Sequence, residues 1–395
     1  MPVSSSPPSL PPSPTAPVSD PPSDRDRLWA ATMHGHGAGR QVRAHGGPPP
    51  LPVAFGSRTR ADREAAEHQL LAPAATRAHG AGLRAVAEAP DPVRTCFERD
   101  RDRILHAAAF RRLAGKTQVF VFPADHQRTR LTHALEVAQV ATALADALGL
   151  NRALTEAIAL GHDCGHGPGG HASEDAFTPY LPEGYDHAVW GADVVLAPLN
   201  LCVETLDGVR NHSWSRPRPA TPEGEVVAWA DRIAYVCHDF EDAVSAGIVA
   251  ADELPPLVRE RCGDRRSTQI AQFIAGVVSA TTSSGSVSMT GDLAEALAAF
   301  RAFDYERIYL RPASLAQAEA VIRMLRALVE HFAAVPSLLP DPQVAPVEAG
   351  PGSPEAFRAA VTYVGGMTDR FACDQAVARL GWPTGQLPRG VDLAG

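Results

Sequence analysis

Four side chains of metal-ligand type fall in three well-separated helical stretches of this 395-residue chain: His133, the adjacent pair His162 and Asp163, and Asp231. If they serve one centre, helices far apart in sequence must converge on a common point, and that restricts the chain to a bundle-like helical architecture. Two neutral imidazoles and two carboxylates suit a hard or borderline divalent ion, Mg²⁺ or Mn²⁺, with Fe²⁺ and Co²⁺ as alternatives. A structural zinc site would normally recruit thiolates.

Periodicity supports a helical fold. Leu131 to Leu148 places Leu135, Ala138, Leu144 and Leu148 roughly on one side and ends at Gly149, and Asn151 is suited to cap the next helix, which runs to about His162. Arg103 to Leu113 reads as an amphipathic helix. Further helices are expected at about 187–197, 199–210, 225–245, 266–281, 291–301, 312–334 and 354–380, with Pro- and Gly-dense loops at 213–224 and 336–353. Val119, Phe120, Val121 and Phe122 make 115–123 either a strand or an extended loop. The expected class is all-α, with at most a short β-hairpin or extended segment near 115–123.

Nine prolines within residues 1–22 cannot bury enough apolar surface to offset ordering entropy, and residues 24–60, rich in Gly, Pro, Arg and His (His34, His36, His45), show no sustained period. Residues 1–60 are therefore expected to form a disordered extension, and 61–395 a helical domain with a helical C-terminal portion. A net charge of −9 argues against a surface built to hold polyanions, so any phosphate binding must be local. The six cysteines are scattered without a Cys-x-x-Cys pair, as in reduced cytosolic proteins. With no secretory signal and no membrane-spanning run, the sequence reads as soluble and cytoplasmic.

The chemistry-bearing residues cluster. Arg130 and His133, three apart, share a helix face, which lets the imidazole face a metal and the guanidinium a phosphate. His162 and Asp163 close the apolar run Ala157-Ile158-Ala159-Leu160 just before the glycine-rich turn from Gly165 to Gly170. His166, His171 and Glu174 follow. If His171 opens a helix, Glu174 shares its face and raises its basicity, as a general acid or water-orienting base requires. Asp231, Tyr235, His238 and Asp239 form a polar stripe on an otherwise apolar helix. A buried hydrogen-bond network would leave the same trace.

The order of these motifs resembles the HD-domain phosphohydrolases, and the surrounding text looks like their deoxyguanosinetriphosphate triphosphohydrolase branch. The match is carried by Arg99–His106 with Phe110–Phe120, by Arg130–Val140, by Glu156–Glu174 and by Trp229–Ala243, with weaker echoes at Leu199–Trp214, Asp304–Leu310 and Gly366–Ala372. The resemblance implies that His133, His162, Asp163 and Asp231 hold the metal and that His166, His171 and Glu174 support attack at the α-phosphorus of a (deoxy)nucleoside triphosphate. The product would be a deoxynucleoside and inorganic triphosphate. It further implies that Arg130, His187, Arg232, Tyr235 and Asp239 face the substrate; Lys116 matches a family lysine and is grouped with them without a specific role. Homo-oligomers and nucleotide effector sites are also implied, whereas membrane and nucleic-acid partners are not expected. Two departures bear on selectivity: Ala114 stands where many relatives carry glutamine, and His187-Ala188-Val189-Trp190 where they often show His-Asn-x-Gln. Alternatives are an HD phosphohydrolase of another phosphoester, a nucleotide monophosphate or an alarmone, and a nucleotide-binding regulatory module without turnover. Retention of His166, His171 and Glu174 speaks against the last, since binding needs no proton-transfer group.

Overall fold

The computed structural model describes residues 23–32, 35–37, 41–47, 55–123, 127–340 and 349–390. The chain divides into two units, Met1–Ser57 and Arg58–Gly395. Within the first, the expectation of an irregular segment is corrected by helix α1 (Asp24–Thr32) and by an isolated antiparallel bridge between His36 and Arg43. The cause of the helix is local: the Ser23 N–H donates to Asp26 Oδ2 at 2.9 Å, the Asp26 N–H donates back to Ser23 Oγ at 3.2 Å, and Arg25 lies over the Trp29 ring. The proline-rich residues 1–22 lie outside the described residues.

The second unit contains α2 (Arg60–Leu70), α3 (Cys96–His106), α4 (Ala108–Arg112), α5 (Arg130–Leu148), α6 (Arg152–Gly161), α7 (Ala172–Phe177), α8 (His187–Trp190) and α9 (Val203–Asn211). After them come α10 (Pro222–Ser245), α11 (Pro256–Cys262), α12 (Arg266–Ser284), α13 (Gly291–Asp304), α14 (Pro312–Ala334), α15 (Pro354–Gly365) and α16 (Asp369–Leu380). No strand occurs among the described residues; the 115–123 segment contributes only a single bridge, Thr117 to Thr129. Nor, among them, is any helix long and apolar enough to cross a membrane.

Helix ends follow local chemistry. Gly149, at φ +66°, terminates α5 in the left-handed region, and Asn151 Oδ1 accepts from the Leu154 N–H at 3.3 Å to start α6. Several expected boundaries shift. The helix expected from Arg103 starts at Cys96, capped reciprocally by Thr95 and Glu98, and breaks at Ala107. The expected 354–380 helix is two, because Thr368 caps α16 anew after Gly366. After Trp190 the chain continues as a π-helical turn, Gly191–Val195, rather than as α-helix.

Two apolar cores form. The larger packs α3, α5, α6, α9, α10 and α13, where Ala138, Ala141 and Ala145 of α5 and Ala230 and Ala234 of α10 are fully or nearly fully buried, so that small side chains let helices close tightly. Ile158 of α6 is completely buried against Gly208 of α9, where an added Cβ would lie 2.3 Å from Ile158 Cδ1. Truncating Ile158 to alanine would cost about 2–5 kcal/mol. The smaller core gathers α7, α14, α15 and α16 around Phe177, Leu328, Phe332 and Val364. The turn from His162 to His171 leaves α6 in the first core and enters α7 in the second, so the chemistry-bearing turn lies at their seam.

Candidate active site

Arg130 and His133 occupy the first turn of α5, which is entered through a bond from the Thr129 N–H to Thr132 Oγ1 at 3.0 Å. Arg130 is only 1% exposed. Its Nη1 donates to Asp163 Oδ2 at 2.7 Å, while Nε and Nη2 have no partner. His133 Nε2 stands 3.1 Å from Asp231 Oδ1 and 3.9 Å from Asp163 Oδ2.

His162 and Asp163 follow the last residue of α6, and their placement resolves the problem of adjacent residues diverging about 100° around a helix. His162 Nδ1 donates to the Ala159 carbonyl at 2.6 Å, and this fixes the tautomer. Nε2 is left buried and unpartnered, 3.4 Å from Asp163 Oδ1 and 3.7 Å from Asp231 Oδ1. An imidazole locked from behind with its free lone pair aimed at two carboxylates fits a divalent cation. Burial disfavours charge on Asp163, yet His162 and Arg130 hold it well below the usual carboxylate range. Burial likewise opposes a proton on His133, but the bond to Asp231 outweighs it and raises His133. The field that retains a proton there would also favour a metal ion.

The turn beyond Asp163 is built from backbone packed on backbone. At Gly165 an added Cβ would meet the His187 carbonyl at 2.0 Å, and Gly170, at φ +64°, backs onto Arg130 Nη2. Four side chains, His166, His171, Glu174 and His187, present ligand-type atoms within 4.8 Å of one another. The His166 and His187 rings stack at 3.8 Å. His171 opens α7 as its N-cap in helical conformation and its ligand atom lies within 4.8 Å of that of Glu174, but the hydrogen bond expected between them is made elsewhere: Glu174 Oε1 lies 3.0 Å from His187 Nδ1. His187 Nε2 faces His212 Nε2 at 3.3 Å, and His212 Nδ1 donates to the Val209 carbonyl at 2.7 Å. With the His212 lone pair turned inward, His187 can donate from both nitrogens. Burial works against its charged form, but the bond to Glu174 prevails and holds His187 above the ordinary imidazole value. Burial, with His162 and His187 nearby, pushes His212 down to about 4.

On α10, Tyr235 and Asp239 continue the wall from Asp231. Arg301 Nε donates to the Tyr235 hydroxyl at 2.8 Å, and the Tyr309 hydroxyl donates to Asp239 Oδ2 at 2.5 Å. Burial pushes Asp239 up to about 7 despite that bond. Arg232 lies 3.5 Å above the Trp214 ring. His238, though on the expected stripe, is buried 3.2 Å from Glu136 and does not line the cavity. The cavity, ≈ 540 Å³, is lined by Arg130, His133, Asp163, Asp231 and the imidazoles of His166, His171 and His187, and by Trp214, Arg232, Tyr235, Arg301, Tyr305 and Tyr309.

One expected contact is not made: Lys116 does not line the cavity, because its Nζ donates to the carbonyls of His166 and, at 3.0 Å, Gly365. Burial pushes its ammonium down to about 7. The departures at Ala114, Ala188 and Trp190 also fall outside the lining, and Trp190 packs on the Tyr185 ring at 5.0 Å. Ala188 and Trp190 are buried among core residues, whereas Ala114 is exposed. The sequence reading missed Arg301, Trp214, Tyr309, His212 and Gln118, whose buried Oε1 has no partner. Asp304–Leu310 and Leu199–Trp214, already noted as echoes, were the available signals for three of them, Tyr309, His212 and Trp214.

Comparison with known proteins agrees with this geometry. The HD domain family matches residues 130–236, which span all four candidate metal ligands, and the phosphohydrolase-associated domain matches residues 287–377. A deoxyguanosinetriphosphate triphosphohydrolase-like protein of Caldanaerobacter subterraneus subsp. tengcongensis is 39% identical over 316 residues, covering 78% of this chain and 92% of the relative. Proteins of the same description from Clostridium perfringens and Syntrophus aciditrophicus are 38% identical over 304 residues (73% and 87% covered) and 35% identical over 375 residues (79% and 94% covered), respectively. Motif order, an all-helical fold and similarity along most of both chains thus agree, and the chain belongs to the HD-domain phosphohydrolases, in the family of deoxyguanosinetriphosphate triphosphohydrolase-like proteins.

Proposed function

We propose that the protein hydrolyses (deoxy)nucleoside triphosphates, dGTP or another dNTP, at the α-phosphorus, releasing a deoxynucleoside and inorganic triphosphate. The observation that carries the reading is Arg130: a buried guanidinium with two unpartnered nitrogens, lining the same cavity as His133, Asp163 and Asp231, with His162 Nε2 directly behind the two carboxylates. Buried unsatisfied donors of fixed charge are costly unless an anion completes them, and a phosphoryl group matches the guanidinium fork.

His133, His162, Asp163 and Asp231 would hold a divalent ion, Mg²⁺ or Mn²⁺, which when bound supplies Lewis-acid neutralisation of charge on the phosphoryl oxygens. Arg130 adds positive charge from the opposite side. Arg232 and Arg301, neither with a carboxylate partner, receive the outer phosphates together with Tyr235. Asp239 and Tyr309 offer hydrogen bonds to the sugar. Water attacks phosphorus as the bond to the 5′ oxygen breaks, and His187, charged and held by Glu174, gives that oxygen its proton. His166, stacked on His187, keeps the ring in place. The proton released by the water passes to His171 at the exposed edge of the cavity.

Incubating the protein with each deoxy- and ribonucleoside triphosphate plus Mg²⁺ or Mn²⁺, with chromatographic identification of products, tests this reading. Intact triphosphate and a nucleoside support it. Orthophosphate or pyrophosphate would assign the site to another phosphoester, and no turnover would leave a binding module.

A further inference from the structure

We propose that the C-terminal helices set the geometry of the catalytic turn through two buried positioning residues, Lys116 and Asp369. This rests on the reading of the site above. Lys116 Nζ joins the carbonyl of His166 to that of Gly365, 3.0 Å away at the end of α15. Asp369, in the first turn of α16, accepts from the Gly169 N–H at 2.9 Å, from the Thr117 N–H at 2.9 Å and from Thr117 Oγ1 at 2.5 Å. Three segments far apart in sequence, 116–117, 166–169 and 365–369, are thereby tied together by side chains that are 3% and 5% exposed.

Burying an ammonium and a carboxylate is expensive, and apolar residues of similar volume would pack the same space at less cost. What such residues would not supply is direction. Lys116 grips the backbone of His166 itself, and Asp369 grips the backbone of Gly169, the first of two consecutive glycines with positive φ (+73° and +64°). Fixing those peptides fixes where His166 and His171 emerge. It also fixes Gly170, where an added Cβ would lie 2.7 Å from Arg130 Nη2. Other tethers hold the ends of the turn: the Tyr185 hydroxyl donates to the Gly165 carbonyl at 2.6 Å, and Ser173 Oγ donates to the Gly170 carbonyl at 2.6 Å. The two positioning residues hold its middle. A misplacement of about 1 Å there is enough to cost on the order of 100-fold in rate.

The test uses full-length protein with Asp369→Asn, which keeps shape but sets an amide donor against an N–H donor, and Lys116→Met. Amide hydrogen exchange is read beside steady-state kinetics. The expected result is exchange accelerated at least about tenfold at residues 165–171 and unchanged in α5, α6 and α10. With it, kcat falls at least about tenfold while KM and the Mn²⁺-induced rise in Tm are kept. Acceleration spread over the whole unit would reduce both residues to general stability and overturn the proposal, as would local loosening without loss of kcat. Should either variant not fold, Thr117→Val, which deletes a single hydroxyl donor to Asp369, is read against the same criteria. Absence of triphosphate release by the wild type would refute the proposed reaction, whereas the positioning role is decided by the exchange pattern together with kcat on whichever phosphoester the wild type cleaves.

Discussion

The Glu174 carboxylate and the Nδ1 of His187 stand 3.0 Å apart, and behind them His187 Nε2 faces the inward lone pair of His212. Both imidazole nitrogens of His187 therefore have acceptors, which favours the doubly protonated ring; the proton it gives the leaving oxygen is the one on Nε2, with that oxygen taking the place of His212 while Glu174 keeps Nδ1.

A pH signature follows. Burial opposes charge on His187, but Glu174 raises it above the ordinary imidazole value, so the acid form survives to higher pH than in a free imidazole and kcat should fall along an alkaline limb. In Glu174→Gln that limb is expected to move to lower pH, with kcat down about 10²-fold at pH 8. A pH–rate profile in which the limb stays in place would remove Glu174 from this role.

The candidate metal ligands can be examined without turnover. A ligand present at about 100 times its Kd stabilises the folded state by about 2.7 kcal/mol, so Mn²⁺ should raise the wild-type Tm by several degrees. His162→Ala and Asp231→Ala are expected to lose that rise and at least about 10³-fold in kcat, while remaining folded by circular dichroism. Retention of the Mn²⁺ shift in both variants would displace the ion from this group.

Arg130 is expected to act as a fork rather than as a point charge. Its Nη1 is committed to Asp163, leaving Nε and Nη2 for a ligand. Arg130→Lys keeps the charge but loses this geometry, and should lower kcat/KM by about 10- to 100-fold, with Arg130→Gln lower still. Steady-state kinetics on the same triphosphate separates the two.

Asp304 carries a stability signature. It is fully buried, neither oxygen has a hydrogen-bond partner, and burial together with Asp239 holds its carboxyl well above the usual range. The folded state thus binds a proton that the unfolded chain releases above about pH 4, so this contribution is present at low pH and is lost as pH rises through the folded value. Asp304→Asn, neutral at every pH, should gain Tm relative to wild type on going from pH 5 to pH 8, by roughly 2–4 °C. Equal differences at the two pH values would show that Asp304 is ionised in the fold.

Local signals were the legible ones. Asn151 and Gly149 could be assigned as caps because a cap depends on residues within one turn, and the His162-Asp163 pair stood out because an apolar helix had to end in it. Distance in sequence hid the rest. Lys116 stands in sequence beside the substrate-facing residues with no role legible from its neighbours, and its commitment to backbone depends on Gly365, reached only through tertiary folding. Glu174 was spaced for His171, but the arrival of α8 brought His187 closer. Arg301, in the last turn of α13, and Tyr309 are brought together by a π-helical turn, Tyr305–Tyr309, whose altered pitch defeats a 3.6-residue reading.

Hydrolysis of the active dNTP in H₂¹⁸O, with mass spectrometry of both products, tests attack at the α-phosphorus most directly. One ¹⁸O atom in the released triphosphate and none in the 5′-hydroxyl is the expected result. Label in the nucleoside, or orthophosphate or pyrophosphate in place of triphosphate, would contradict the account.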